Sequence, residues 1–183
     1  MGHGVAKDLK EAARYYGLAA ENGDSVAQCN LAWFYINGFG VAKDPAKAFE
    51  LFQKSAEQNN LRGIYNVALC YEKGDGVHKD RVKAVEWYRK AAAQNHPGAL
   101  YKLGEYTERG LGGMTMDPDK AADYYQRAAD RGDKGAQEAL ARLKGGKTTP
   151  PVTPPEVPAP AEPEQPAQEE KKKGGFFKKF FGN

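Results

Sequence analysis

The chain has 183 residues, of which 40% are hydrophobic and 28% are charged, and its formal net charge is +3. This composition is typical of a soluble globular domain, and no stretch approaches the roughly 18 apolar residues that a membrane-spanning helix needs. A net charge this small gives no reason to expect nucleic-acid binding.

Two features of the sequence bear on the cellular compartment. The opening residues, MGHGVAKDLK, contain no apolar segment of the kind that a secretory signal requires. Only two cysteines occur, Cys29 and Cys70, which favours two core thiols over a disulfide framework. We therefore expect a cytoplasmic protein, or a periplasmic or secreted one if a signal sequence lies upstream of Met1.

A short sequence recurs along the chain at a nearly constant interval. The pentapeptide GVAKD occupies residues 4–8 and again residues 40–44, thirty-six positions later. Related segments follow, GVHKD at residues 76–80 and GMTMD at residues 113–117, the last after an interval of thirty-seven. Self-similarity at such a period predicts an array of four stacked repeats.

Each repeat predicts two helices. After the Asp of the pentapeptide, a small residue, an aromatic and a second small residue follow at spacings of four and three, which places them on one helical face. The small residues are Ala12, Ala48, Ala84 and Ala121, the aromatics are Tyr16, Phe52, Tyr88 and Tyr125, and the second small residues are Ala19, Ser55, Ala91 and Ala128. A second apolar and small-residue stretch follows in every repeat and predicts the second helix.

Polar residues and glycines predict where these helices begin and end. The expected N-caps of the first helices are Asp8, Asp44, Asp80 and Asp117, and those of the second helices are Asp24, Asn60, His96 and Asp133. Residues that tolerate a left-handed backbone end the first helices, at Gly23, Asn59, Asn95 and Gly132, while Gly38, Gly74 and Gly110 end three of the second helices. The pentapeptide is thus interpreted as a Gly-containing loop followed by a capping Asp.

These motifs resemble the Sel-one-like repeat family, a relative of the tetratricopeptide helical repeats. The resemblance lies in AQCNLAWFYINGFGVAKD and GIYNVALCYEKGDGVHKD and extends over residues 1 to about 144. It implies an all-α fold, a right-handed superhelical α/α solenoid of four two-helix units, and the function of a scaffold or adaptor that binds other proteins. The fourth linker, GLGGMTMD, has one extra residue, and the last helix, KGAQEALARLK, is polar where the others are aromatic, as suits a terminal cap.

One row on the first helices is a candidate partner-binding site. It consists of Arg14, Glu50, Glu86 and Asp123, one at each repeat. First helices usually line the concave side of such arrays, where acidic residues would favour a basic peptide. Lys54, Lys90 and Arg127 follow the three acids by four residues, however, so ion pairs on a solvated face are the favoured interpretation.

Other candidate sites carry less weight. The row Tyr15, Leu51, Trp87 and Tyr124 could stack a ligand but is better explained as core. The segment GGKT at residues 145–148 lacks the strand and helix of a phosphate loop, and neither Ser25 nor Ser55 opens a Ser-x-x-Lys motif. We expect no catalytic residue, metal site or cofactor. A hydrolase resembling the cysteine-rich penicillin-binding relatives of the family is the alternative, although their cysteine pairs are absent.

The composition changes after the repeats, which end at residue 146. Residues 147–170 are rich in Pro and Glu and predict a disordered linker, with a reach of about 70 Å at roughly 3.1 Å per residue. Residues 171–183 form a basic, Phe-rich tail whose four rings would share one side of a helix. Its charged and aromatic members are Lys171, Lys172, Lys173, Phe176, Phe177, Lys178, Lys179, Phe180 and Phe181.

The tail predicts the last functional element. A segment this short cannot hold a helix alone in water, so it is expected to order on a surface. An anionic membrane, a hydrophobic groove on a partner protein and the exposed end of the solenoid itself all fit its pattern. The sequence as a whole therefore predicts a non-catalytic scaffold, with a protein or peptide in the solenoid groove and a tail that recruits it to an anionic membrane or docks on a partner.

Overall fold

The computed structural model describes residues 3–145. The predicted linker 147–170 and tail 171–183 lie outside the described residues. Within them the chain forms eight α-helices and no strand, which confirms the predicted all-α solenoid of four two-helix units. The helices are α1 (His3–Glu21), α2 (Ser25–Asn37), α3 (Pro45–Glu57), α4 (Leu61–Lys73), α5 (Arg81–Ala93), α6 (Pro97–Arg109), α7 (Pro118–Ala129) and α8 (Lys134–Lys144).

The core runs continuously through the array because three of the four second helices described pack against two first helices, while α8 packs against one first helix, α7. Thus α2 contacts both α1 and α3, and α4 and α6 are placed in the same way between their neighbours. The predicted face of the first helices is buried in α3, α5 and α7, where Phe52, Tyr88 and Tyr125 are at most 2% exposed. Burying such aromatic rings contributes much of the packing energy of a small unit.

The predicted caps are confirmed for seven helices. Asp44 Oδ1 accepts the N–H of Lys47 at 3.0 Å, and Asp80 and Asp117 cap α5 and α7 in the same way. Each second helix is capped by its predicted polar residue, including His96, whose Nδ1 accepts the N–H of Ala99 at 3.2 Å. Each cap satisfies a backbone donor that has no partner within the helix.

The prediction that Asp8 caps α1 is wrong. Helix α1 begins at His3, so the first copy of GVAKD is helical while the second copy, at residues 40–44, forms a loop and the N-cap Asp44. The second copy follows α2, and the N–H of Asp44 donates to the carbonyl of Tyr35 at 2.9 Å. No helix precedes the first copy among the described residues, so nothing holds it as a loop.

A close backbone approach explains the second Gly of each loop. Gly40 has a φ of +65° and lies against the backbone of Leu9 and Lys10 in α1, where a side chain would collide. Gly112 repeats this against α5, because a Cβ there would come within 2.6 Å of the Arg81 carbonyl oxygen. These glycines let the loop of one unit pack on the first helix of the same unit.

Candidate protein-binding surface

The predicted partner-binding row lies on the surface. Arg14, Glu50, Glu86 and Asp123 are all exposed, on α1, α3, α5 and α7 respectively. They occupy the same position in each two-helix unit, so the solenoid repeats one acidic side chain at three successive units after Arg14.

The expected ion pairs form at only one of the three acids. Arg127 Nη1 lies 4.0 Å from Asp123 Oδ2, at the outer limit of an ion pair. Among the described residues, Glu50 and Glu86 have no cation within 4.0 Å. Their carboxylates are therefore available to a ligand, which the predicted pairing with Lys54 and Lys90 would have prevented.

Aromatic rings hold several of the neighbouring cations. Lys90 Nζ lies 3.9 Å from the centre of the Trp87 ring instead of pairing with Glu86. Lys47 and Lys83 lie over Tyr35 and Tyr71, at 4.6 and 5.5 Å. A cation over a ring face is attracted by the electrons of the ring, so these lysines have a partner other than the acidic row.

The row of Tyr15, Leu51, Trp87 and Tyr124 divides into two environments. Leu51, Trp87 and Tyr124 are half-buried and pack against the core, as predicted. For Tyr15 the core prediction is wrong, because its side chain is 57% exposed and Arg14 lies over its ring at 4.9 Å. The difference follows from position: α3, α5 and α7 each pack against the second helix of the preceding unit as well as that of their own, whereas among the described residues α1 packs against only one second helix, α2.

Two partly buried polar clusters, which sequence reasoning missed, hold the later units together. In the first, the Tyr88 hydroxyl donates to Glu72, and Lys102 Nζ contacts Glu72 at 3.2 Å and Glu105 at 3.1 Å. Burial alone would lower the pKa of Lys102, but the two carboxylates outweigh it and raise that pKa above its usual value. The cluster joins α4, α5 and α6.

The second cluster repeats the first one unit later. Tyr125 Oη donates to Glu108 at 2.9 Å, and Arg142 makes two contacts of 2.7 Å to the same carboxylate. Burial would raise the pKa of Glu108, yet the hydrogen bonds from Arg142 and Tyr125 hold it below its usual value. This cluster joins α6, α7 and α8, and it stabilises the last helix on the array.

The corresponding junction near the N-terminus is apolar. Ile36 and Phe52 occupy the positions of Glu72 and Tyr88, and Phe52 meets Trp33 edge-on with ring centres 6.2 Å apart. The sequence contains a signal for this difference. A Tyr on the first helix follows a Glu by 16 or 17 residues at the two polar junctions, whereas Phe52 follows Ile36 by 16 residues at the apolar one.

Residues 3–145 offer few other chemical groups. No cluster of potential metal ligands occurs in this part of the chain, and none of its helices is long and apolar enough to cross a membrane. Cys29 and Cys70 are buried and unpaired with each other, which confirms the predicted core thiols. The predicted tail residues, from Lys171 to Phe181, lie beyond the described range.

A comparison with models of protein families identifies the family of the repeats. Residues 1–24, 25–60, 61–96 and 97–133 each match the Sel1 repeat model. The chain belongs to the Sel1 repeat family. Proteins of this family typically mediate protein–protein interaction. A comparison with curated proteins found no match.

Solved structures include several similar Sel1 repeat proteins. A Sel1 repeat protein from Oxalobacter formigenes is 32% identical, with a TM-score of 0.67 over 78% of this chain and 62% of its own. The protective antigen c5321 of uropathogenic Escherichia coli is also 32% identical, with a TM-score of 0.69 over 74% of this chain and 30% of its own. Cysteine rich protein B of Helicobacter pylori is 28% identical, with a TM-score of 0.58 over 76% of this chain and 100% of its own. The chain thus spans less than two thirds of the length of the first two.

Proposed function

We propose that this protein is a scaffold that binds a basic segment of a partner protein along Glu50, Glu86 and Asp123. The observation that supports this proposal is that Glu50 and Glu86 are exposed and have no cation within 4.0 Å in the described part of the chain. A partner with basic residues at the spacing of the units would engage all three, while Arg14 at the first position would repel a further cation.

Charge reversal tests this proposal. The variant Glu50→Lys, Glu86→Lys and Asp123→Lys is compared with a control of equal charge change, Glu21→Lys, Glu57→Lys and Glu138→Lys, at exposed positions outside the row. The probe is a labelled Lys-rich peptide, titrated by fluorescence anisotropy at two salt concentrations. We expect the row variant to bind about tenfold or more weakly and the control to change by less than about twofold, because only the row contacts the probe.

The opposite result is equally clear. Equal weakening by both variants would show that only the overall charge of the protein attracts the peptide. Circular dichroism of each variant establishes that the helices are intact, so that a loss of binding reports on the row. The hydrolase alternative is not favoured, because the repeats of this family typically act as interaction scaffolds.

We further propose that the tail, residues 171–183, recruits the scaffold from the cytoplasm to an anionic membrane surface. Its five lysines would each contribute about 1 kcal/mol near such a surface, and its four phenylalanines would enter the interface. The test is co-sedimentation of the full chain and of a truncation after Gly146 with neutral and with anionic vesicles.

We expect the full chain, but not the truncation, to sediment with anionic vesicles at low salt. A variant with Phe176, Phe177, Phe180 and Phe181 changed to Ser keeps the charge and separates the aromatic contribution from the electrostatic one. If neither chain sediments, the membrane proposal fails, and the tail is better explained as a docking peptide for a partner protein.

A further inference from the structure

The four units provide an internal comparison for the surface of α1. On α3, α5 and α7 the two small residues and the aromatic of the predicted face are at most 2% exposed. The corresponding residues of α1, namely Ala12, Tyr16 and Ala19, are only half-buried. Nearby, Tyr15 is 57% exposed and Leu18 is 50% exposed, although cations occupy the position of Leu18 in the other units. Helix α1 therefore presents an apolar face that its counterparts bury.

The later units show what covers this face. The ring of Tyr125 lies against Gly104 of α6, where a Cβ would come within 2.5 Å of it, and near Tyr101, with ring centres 5.7 Å apart. Its hydroxyl reaches Glu108, four residues after Gly104. The covering helix thus supplies an aromatic, a small residue three positions later and a carboxylate four positions after that.

Helix α4 covers α5 with the same set of residues. Tyr65 lies 5.8 Å from Tyr88 between ring centres, Ala68 is fully buried, and Glu72 accepts the Tyr88 hydroxyl. At the junction between α2 and α3, both members of the polar pair are replaced. Ile36 stands in the position of the Glu, and Phe52 stands in the position of the Tyr. Within this chain, a Tyr on the first helix is therefore matched by a Glu on the helix that covers it.

Since α1 carries Tyr16, we propose that its exposed face binds a helix of another protein with the pattern Tyr-x-x-Ala/Gly-x-x-x-Glu. The small residue would admit the Tyr16 ring, and the Glu would accept its hydroxyl, as Glu72 and Glu108 do for Tyr88 and Tyr125. A buried hydroxyl needs such an acceptor. Tyr15 and Leu18 add exposed apolar area at the edge of this site.

Residues 1–183 do not supply the required helix from an exposed position. In α8, Ala141 is followed four residues later by Gly145, not by a carboxylate, and none of the five glutamates after residue 147 follows Gly or Ala by four. Gly17 with Glu21, and Ala46 with Glu50, have the right spacing. They are preceded by Arg14 and Lys43 where the pattern requires Tyr. Within residues 1–183 the complete pattern occurs only in α4 and α6, which are already engaged, so the proposed occupant is a helix from outside these residues.

The experiment uses the full chain and a synthetic peptide with the sequence Asn60–Gly74, which contains α4 and both of its caps. The peptide is labelled, and a hydrocarbon staple on its solvent face keeps it helical. A second peptide carries Glu72→Ile. Both are titrated by fluorescence anisotropy against the unchanged protein and against Tyr16→Phe, a substitution that removes only the hydroxyl.

We expect the preference between the peptides to reverse. The unchanged protein should bind the Glu peptide about tenfold more tightly than the Ile peptide, and Tyr16→Phe should favour the Ile peptide, as Phe52 is matched with Ile36. Leu18→Lys should weaken both peptides equally. The absence of binding, or the same preference in both proteins, would overturn the proposal. Unchanged binding by the Glu50, Glu86 and Asp123 reversal separates this face from the acidic row.

Discussion

The junction between α2 and α3 and the junction between α4 and α5 solve the same packing problem with different chemistry. The first has Ile36 and Phe52 at the positions that Glu72 and Tyr88 occupy in the second, where the Tyr88 hydroxyl donates to the Glu72 carboxylate. Lys102 then satisfies the remaining charge. Because both junctions keep the same fold, the pair of residues must change together. A buried polar cluster specifies its partners more strictly than an apolar contact does, although it need not be more stable.

Removal of one member of the polar cluster gives the largest expected effect. Glu72→Ala removes the carboxylate that accepts the Tyr88 hydroxyl and contacts the Lys102 ammonium group. We therefore expect the free energy of unfolding to fall by about 3 kcal/mol. Ile36→Ala, at the same position of the apolar junction, should cost only about 1 to 2 kcal/mol, because that residue is also half-buried but its loss leaves no polar group without a partner. Urea unfolding followed by circular dichroism measures both.

A paired replacement checks the interpretation. Glu72→Ile with Tyr88→Phe gives the polar junction the residues of the apolar one, and Lys102 retains Glu105. We expect this double variant to recover to within about 1 kcal/mol of the unchanged protein. If it is no more stable than Glu72→Ala, the two junctions are not interchangeable and the comparison fails.

The loops that follow α2 and α6, unlike the junctions, should respond alike to the same substitution. Gly40→Ala and Gly112→Ala introduce a Cβ against the backbone of the preceding first helix at a positive φ, so each should cost about 2 kcal/mol. Gly113→Ala is the matched control, with a φ of +76° but no atom within 4 Å of the added Cβ, and should cost about 1 kcal/mol. Equal losses at Gly112 and Gly113 in thermal unfolding would contradict the proposed close approach.

Acid should lower the stability of the fold through the N-cap of α6, which is His96. Burial, with a smaller contribution from Arg62, lowers the pKa of His96 from 6.5 to about 4. The folded protein therefore favours the neutral ring. The contribution of His96 to stability is complete above pH 6.5 and is lost as the pH falls towards 4. We expect a loss of about 1 to 2 kcal/mol over this range, measured by urea unfolding at each pH.

The matched control is the corresponding cap of α4. Asn60 occupies the equivalent position and does not titrate, so His96→Asn should retain the cap and remove this part of the pH dependence. An unchanged dependence in His96→Asn would show that other groups cause the loss of stability.

The smallest expected effect separates two cations on the surface. Lys90 lies over Trp87 at 3.9 Å, whereas Lys54, at the same position one unit earlier, follows Leu51 and has no ring beneath it. Lys90→Ala should cost about 0.5 kcal/mol or slightly more, and Lys54→Ala should have no measurable effect. Equal thermal midpoints for the two variants would exclude a stabilising contact between Lys90 and Trp87.

Local patterns in the sequence predicted most of the helices. The repeated spacing of Ala48, Phe52 and Ser55 predicted a buried face, and Asp44 and Asn60 predicted two helix starts, because periodicity and capping depend on residues less than one or two turns apart. The same pattern failed at Asp8 and Tyr15. Both lie on α1, which no helix precedes among the described residues.

The surface row was only partly predictable. The sequence located Glu50 and Glu86 and their spacing to Lys54 and Lys90, and that spacing favoured ion pairs. The structure instead places Lys90 over Trp87, and Glu86 is exposed with no cation of residues 3–145 within 4.0 Å. A weak ion pair on a solvated face is readily replaced by a contact with a ring.

The sequence by itself determined the repeat period, the two helices of each unit and the capping residues of α2 to α8, since these follow from contacts within a few residues. Only the tertiary structure decided that the half-buried Glu72 and Glu108 would accept the hydroxyls of the buried Tyr88 and Tyr125, and that Gly40 would touch the backbone of α1. Such contacts join groups 16 to more than 30 residues apart. They exist only once neighbouring helices have packed, because burial is what makes an unpaired polar group or an added methyl group costly.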